Sequence, residues 1–254
     1  MCRRLIWLQV IVFVLTACMP AATNDPIFTA TPTPPTPTLT PTIIWFPPTP
    51  TYTPYPTITS IPLPDQRPGI GELIITDDFT DPEVWMLSTS LKGSVAMGKG
   101  EITIVIKEER GYLFSLRQEP ILDDFYAEIT ANPTLCRELD EYGLLLRISE
   151  ELDYYRFSLS CNGQVRLDRI YKGQASALQT WLLSGAVPPG APSISRLGAW
   201  VSGNEMRVFV NDEYQFGVND PLIANGKLGV FARSASDMAV TVNYSDLMVW
   251  EVIP

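Results

Sequence analysis

Apolar and polar side chains alternate with a period of two from Glu141 to Tyr171, which predicts three consecutive antiparallel strands at the centre of a globular domain. In the first strand Leu144, Leu146 and Ile148 share one face, and Leu145, Arg147 and Ser149 the other. The second strand repeats this, with Tyr155, Phe157 and Leu159 against Tyr154, Arg156 and Ser158. The polar segment from Glu150 to Asp153 reads as a hairpin loop, and Asn162-Gly163 as a second turn, because both residues tolerate the positive φ that tight hairpins demand.

Similar runs recur from Gly69 onward: Leu73 to Phe79, Glu101 to Lys107, Tyr112 to Arg117, Asp124 to Ala131, Leu178 to Leu183, Arg196 to Val201, Met206 to Asn211, Gly226 to Arg233 and Met238 to Val252. Turn signals such as Glu109-Arg110-Gly111, Ser202-Gly203-Asn204, Asn211-Asp212 and Asn225-Gly226 separate them. Many short strands with almost no helical periodicity predict an all-β sandwich of two antiparallel sheets spanning residues 69–254.

The N-terminal part has another character. Arg3 and Arg4 precede the apolar run Leu5 to Leu15, too short to span a bilayer core of about 30 Å but suited to an export signal over residues 1–17. The tetrapeptide Leu15-Thr16-Ala17-Cys18 resembles the lipobox of bacterial lipoproteins. That resemblance implies an acylated Cys18 as the first residue of the mature chain, held on the extracytoplasmic face of a bacterial cell membrane. The alternative is an ordinary secretory signal cut after Ala17 or Ala22. Between Pro20 and Pro68 lie 15 of the chain's 23 prolines, interleaved with threonine. Such a segment cannot bury enough apolar surface to order itself, so residues 18–68 are expected to form a disordered, polyproline-like linker with the composition of an O-glycosylated stalk.

Several of these segments carry a family resemblance. Asp77 to Trp85 (DDFTDPEVW), the YGLLLR and YYRFSL strands, Arg207 to Asp212 (RVFVND), Gly226 to Ala232 (GKLGVFA) and the closing NYSDLMVWEV resemble the concanavalin A-like lectin/glucanase jelly roll. They are most similar to its laminin G-like and 3-keto-disaccharide hydrolase-like members. The resemblance implies a fold more than a chemistry. Glucanases of that superfamily carry a Glu-x-Asp-x-x-Glu strand; here Glu138-Leu139-Asp140 is followed by Gly143, and Glu151-Leu152-Asp153 by Arg156. The chain has no histidine, so the commonest general base and metal ligand are missing. Asp77-Asp78-Asp81 and Asn211-Asp212-Glu213 offer oxygen atoms to calcium, as in related lectin-like sandwiches, yet neither has a metal-loop spacing, and no cofactor is expected. Cys2 leaves with the signal and Cys18 is taken by acylation at the lipobox, so Cys136 and Cys161 remain as a pair in the exported domain, bridged or as two buried thiols, with the bridge expected.

The outward face of the central strands holds the candidate ligand site. With Ser149 opposite Tyr154, Arg147 falls opposite Arg156, and two like charges so paired need compensation. A two-residue turn at Asn162-Gly163 sets Arg169 against Arg156 and makes a row of three arginines flanked by Tyr154 and Tyr171. A three-residue turn instead sends Val165 and Leu167 to the core and Asp168 beside Ser158, diagonal to Arg156. Both registers are open. Functionally the face reads as a groove whose arginines and tyrosines hold carbohydrate; structurally it reads as a charge network balanced by Asp168 and Glu128. The net charge of −10, about −12 once Arg3 and Arg4 are lost, argues against nucleic acid as a partner. The expected function is a surface-anchored, non-catalytic, lectin-like module binding glycan or a cell-envelope partner. The alternatives are a glycoside-processing hydrolase and a structural spacer.

Overall fold

The computed structural model describes residues 65–150 and 152–253; the predicted signal, Cys18 and the linker up to residue 64 lie outside the described residues. Fifteen strands and no helix occur among the described residues. In chain order they are β1 (Ile70–Asp77), β2 (Ser88–Ser90), β3 (Gly93–Gly98), β4 (Glu101–Ile106), β5 (Tyr112–Leu116), β6 (Phe125–Leu135), β7 (Glu141–Ile148) and β8 (Tyr154–Ser160). The rest are β9 (Gln164–Tyr171), β10 (Gln174–Leu183), β11 (Ser195–Ser202), β12 (Glu205–Val210), β13 (Glu213–Asn219), β14 (Lys227–Arg233) and β15 (Val240–Val252). A six-stranded sheet runs β10-β9-β8-β7-β14-β5, and a nine-stranded sheet runs β13-β12-β11-β6-β15-β4-β3-β2 with β1 also on β15. Every pairing is antiparallel.

The two sheets close over one core. Ile102, Ile104 and Ile106 of β4, Phe125, Ala127 and Ile129 of β6, and Val240, Val242 and Tyr244 of β15 face Leu144, Leu146, Tyr155, Phe157, Leu159, Val165 and Leu167 of the other sheet. Each strand contributes every second residue, as the alternation requires. Tyr244 crosses the core: its hydroxyl donates to the Phe231 carbonyl and accepts the Gly143 N–H at 3.0 Å. Gly143 must be glycine here, since a Cβ would stand 2.0 Å from the Phe157 carbonyl oxygen.

The expected bridge is present. Cys136, just past β6, is bonded to Cys161 in the β8–β9 turn, with Cα atoms 6.0 Å apart. Because β6 and β8 belong to different sheets, the bond ties the sandwich together at one end. It closes a loop of 25 residues, so reducing it should lower unfolding free energy by about 3 kcal/mol on the chain-entropy estimate. Urea titrations with and without reductant, beside a Cys136→Ala/Cys161→Ala variant, measure this, and coincident midpoints would refute it.

The hairpin registers differ from the sequence expectation. Leu145, not Arg147, faces Arg156 across β7–β8, and the Cys161 N–H donates to the Asp140 carbonyl at 3.0 Å. Across β8–β9 a three-residue turn, Cys161 to Gly163, sets Asp168 directly against Arg156 instead of beside Ser158. The β7–β8 slip is by two residues, as is the β8–β9 slip from the three-residue alternative, so faces are kept as far as Leu146; the two-residue turn with its row of three arginines does not form.

Candidate functional site

Two outward sheet faces compete as ligand surfaces, and the chain itself covers part of one. On the nine-stranded sheet Tyr126, Trp200, Phe209 and Val252 form a cluster extended by Trp250. Residues 65–68, compositionally part of the linker, lie across it. The Trp200 indole donates to the Pro68 carbonyl at 2.8 Å, and Arg207 donates to the Gln66 carbonyl at 3.0 Å. Arg67 donates to the Tyr126 hydroxyl at 3.0 Å and sits 5.5 and 5.2 Å from the Tyr126 and Phe209 rings. Glu128, expected to balance the central arginines, is on this sheet, where it accepts from Tyr126 and lies 3.7 Å from Arg67. Burial first, and then Glu128, raise the Tyr126 pKa, so its proton stays put. Trp200→Phe keeps one aromatic ring and deletes the indole donor; amide exchange at Gln66 and Arg67 is expected to quicken about 5-fold, the equivalent of one hydrogen bond.

The outward face of the six-stranded sheet is different. Register sets Phe114, Phe231, Gly143, Ser158 and Arg166 in one cross-strand row, and Leu116, Gly229, Leu145, Arg156, Asp168 and Ala177 in the next. At its centre Asp168, fully buried, receives Arg156 at 2.8 Å and Arg166 at 2.7 Å. Burial opposes the charge of Arg156, but the Asp168 hydrogen bond and the nearby Glu141 and Asp168 charges prevail, and its pKa is raised. Arg156 also lies 5.8 Å from the Phe231 ring, and Arg166 5.6 Å from Trp181. The Tyr112 and Tyr154 hydroxyls meet at 3.3 Å; burial, then Tyr154, pushes the Tyr112 phenol well up.

Two depressions flank this centre. One, of about 250 Å³, is lined by Phe114, Leu116, Leu145, Ile148, Tyr154 and Ile170. The other, of about 390 Å³, is lined by Arg110, Glu141, Arg166, Trp181 and Arg233 among others. Beneath the face, Glu141 Oε2, Arg156 Nε and Ser158 Oγ are buried without a hydrogen-bond partner among the described residues.

Of the residues expected at the site, Tyr154, Arg156 and Asp168 come together here, whereas Arg147, Arg169, Tyr171 and Glu128 do not. Arg147 adopts φ 51°, and β14 is out of step with β7 between Lys227 and Gly229. That bulge turns Ile148 outward beside Leu145 and Phe231 and sends Arg147 inward, where it is 1% exposed. Arg169 shares a face with Tyr155, and both bind Asp220, Arg169 at 2.5 Å and the Tyr155 hydroxyl at 2.7 Å. Tyr171, two residues on, follows Arg169 by alternation and stacks with Lys172 at 5.2 Å. Trp181, Arg233, Glu141 and Tyr112 were not anticipated; their signal is that each occupies an outward position of a strand in this sheet.

The acidic clusters are committed to turns. Asp77 accepts from the Phe79 N–H, the Trp85 indole and Arg117, while Asp78 and Asp81 cap the next turns. Asn211 and Asp212, at φ 50° and 67°, make the two-residue β12–β13 hairpin, and Asp212 pairs with Arg196.

No family model and no curated protein sequence matches the chain. Solved structures do. A β-glucanase of Bacillus licheniformis superposes with a TM-score of 0.55 at 9% identity, over 72% of this chain and 99% of its own. A galectin-like protein of unknown function from Bacillus subtilis gives 0.55 at 11%, over 72% and 98%. The fold is the concanavalin A-like jelly roll. The catalytic domain of an endo-1,3-β-glucanase (laminarinase) from Thermotoga petrophila superposes on the same jelly roll at 0.52 and 10% identity, over 72% and 98%. At these identities the likeness is one of fold, so the chemistry of this jelly roll must be argued from its own side chains.

Proposed function

We propose that the domain is a non-catalytic module that binds a saccharide on the outward face of its six-stranded sheet. The observation that carries this is the trio of partnerless polar atoms, Glu141 Oε2, Arg156 Nε and Ser158 Oγ, beneath a face bearing Tyr112, Tyr154, Phe231 and Trp181. Each such atom costs about 1–3 kcal/mol unless something hydrogen-bonds to it, and saccharides bring both donors and acceptors. Apolar ring faces supply the complementary surface for sugar C–H groups. The two glucanases among the structural neighbours make saccharides the first ligands to test.

Binding is favoured over hydrolysis by the state of the carboxylates. Glu141 and Asp168 are the strand-borne acids of this face; Asp168 is fully buried with both oxygens on guanidiniums, and Glu141 pairs with Arg233 at 2.8 Å. A retaining or inverting pair needs one carboxyl group able to protonate a leaving oxygen. We further propose that Cys18 is lipidated and that the Pro/Thr linker carries the domain outside the cell, a reading supported by the Cys136–Cys161 bridge, which belongs to oxidising compartments.

A glycan array probed with the full chain in detergent should give saturable binding that Trp181→Ala weakens about 10-fold or more, as loss of a hot-spot aromatic does. Silence across the array would favour the spacer reading, and release of reducing ends from a bound polymer would favour the hydrolase. Labelled palmitate entering the wild-type chain but not Cys18→Ser tests the anchor.

A further inference from the structure

We infer that the ligand of this face is an anionic glycan whose carboxylate or sulfate is held by Arg110 and Arg233 in the groove walled by Trp181. The inference rests on the saccharide-binding reading and narrows it to one class of sugar.

Three guanidiniums, those of Arg110, Arg166 and Arg233, line this one groove, and Glu141 is the carboxylate among its lining residues. The chain as a whole carries a charge of −10, so the groove is a cationic patch set against the prevailing field. Cations gathered in a concave site repel one another and draw in an anion. The three are not equivalent. Arg166 is committed to Asp168 and rests against Trp181. Arg233 shares Glu141 through Nη1 only, with its side chain 44% exposed, which leaves its Nη2 edge open to a second oxyanion. Arg110 lies on the turn between β4 and β5 at φ 53°, its backbone N–H fixed on the Ser236 carbonyl at 3.0 Å. Its guanidinium has no acidic partner within 4 Å among the described residues.

The remaining groups fit the rest of such a ligand. Glu141 Oε2, buried and without a partner among the described residues, can accept a sugar hydroxyl, which a bare inorganic anion lacks. Trp181 offers an apolar wall for the ring. An acidic sugar therefore satisfies the cations, the orphan acceptor and the aromatic wall together. A neutral sugar leaves Arg110 unanswered, and a simple anion leaves the other two.

The experiment compares polygalacturonate, its carboxyl-reduced neutral counterpart and dextran sulfate by calorimetry on the full chain in detergent. At least one acidic polymer is expected to bind about 10-fold or more tightly than the neutral one and to weaken as salt rises, as solvent-accessible ionic contacts do. Preference for polygalacturonate identifies a carboxylate, and preference for dextran sulfate a sulfate. Arg110→Ala breaks no ion pair among the described residues and should erase the preference; Arg233→Gln should do the same; Lys92→Ala, on the β2–β3 turn, should change nothing. Equal binding of acidic and neutral polymers would overturn the inference while leaving saccharide binding intact. Acidic preference that survives both arginine variants would also overturn it. Failure of all three polymers, together with a silent glycan array, would sink the saccharide reading itself.

Discussion

Replacing Arg147 with methionine is expected to lower the free energy of unfolding by about 3–5 kcal/mol, the cost of breaking a buried charged network from one side. Its Nε and Nη2 reach the Asp123 carbonyl at 3.2 and 2.7 Å, and its Nη1 the Gly203 and Ile223 carbonyls at 2.7 and 3.2 Å. Asp124 stands 3.3 Å away and also accepts the Gly203 N–H at 2.7 Å. One guanidinium thus satisfies the approach to β6, the β11–β12 turn and the segment before β14. Burial lowers the Arg147 pKa, and Asp124 opposes the fall. Methionine fills part of the volume but leaves three carbonyls without a donor. Lysine, a single point donor, should recover only part of the loss. Urea unfolding of the two variants decides the matter; a change below about 1 kcal/mol for methionine would mean that these loops hold without the guanidinium. Saccharide binding per folded molecule should survive the substitution, because Arg147 points into the sandwich.

That outcome separates what alternation encodes from what it does not. A period of two assigns faces, and Leu144, Leu146, Tyr155, Phe157 and Leu159 fall in the core where it put them, joined by Val165 and Leu167 as the three-residue turn requires, whereas Ile148 and Arg147 exchange faces. It is blind to a slip of two residues, which preserves every face and changes every partner. Partners are set by turns, and the decisive ones here involve backbone states that side-chain type announces poorly. Arg147 at φ 51° inserts a bulge under a non-glycine residue, and Gly226 makes room for it, since a Cβ there would lie 2.4 Å from the Arg147 carbonyl carbon. An arginine that alternation turns to solvent becomes an internal strut.

Other misses have related causes. Ser88–Ser90 is exposed throughout, Gly93–Gly98 has only Val95 and Met97 among small residues, and Glu213–Asn219 is a largely solvated edge, so none carries an apolar run strong enough to stand out. Trp181 was readable only as part of a strand, because β10 is mostly exposed along its length and its pairing with β9 slips twice. The face was legible, then, while its membership was not. Three of the expected residues stayed on it, and Trp181, Glu141, Arg233 and Tyr112 joined through pairings that only the folded chain supplies.

Asp168→Asn is expected to be the most damaging change at the proposed site, lowering stability by about 3–5 kcal/mol and abolishing saccharide binding together. Asp168 is fully buried and takes Arg156 Nη2 at 2.8 Å, Arg166 Nη2 at 2.7 Å and Arg166 Nε at 2.8 Å. Asparagine keeps the shape, yet it brings one acceptor oxygen and an amide that points hydrogens at a guanidinium, so two cations face each other with no counter-charge. Arg156 would leave its position near Phe231, and Arg166 its position near Trp181, which removes the geometry that aims both at the face. Stability and binding can be told apart by a compensated pair. Asp168→Leu with Arg156→Met exchanges a buried ionic contact for an apolar one of similar volume, a swap that is often neutral or better. Arg166 is 28% exposed at its side chain and can turn to water. The double variant should therefore melt near the wild-type midpoint and still fail to bind, in contrast to Arg147→Met, which should melt early and bind. If the double variant retains wild-type affinity, the Arg156–Asp168 centre supports the sheet without taking part in recognition, and the ligand is held by the neighbouring groove of Arg110, Arg233 and Trp181 alone.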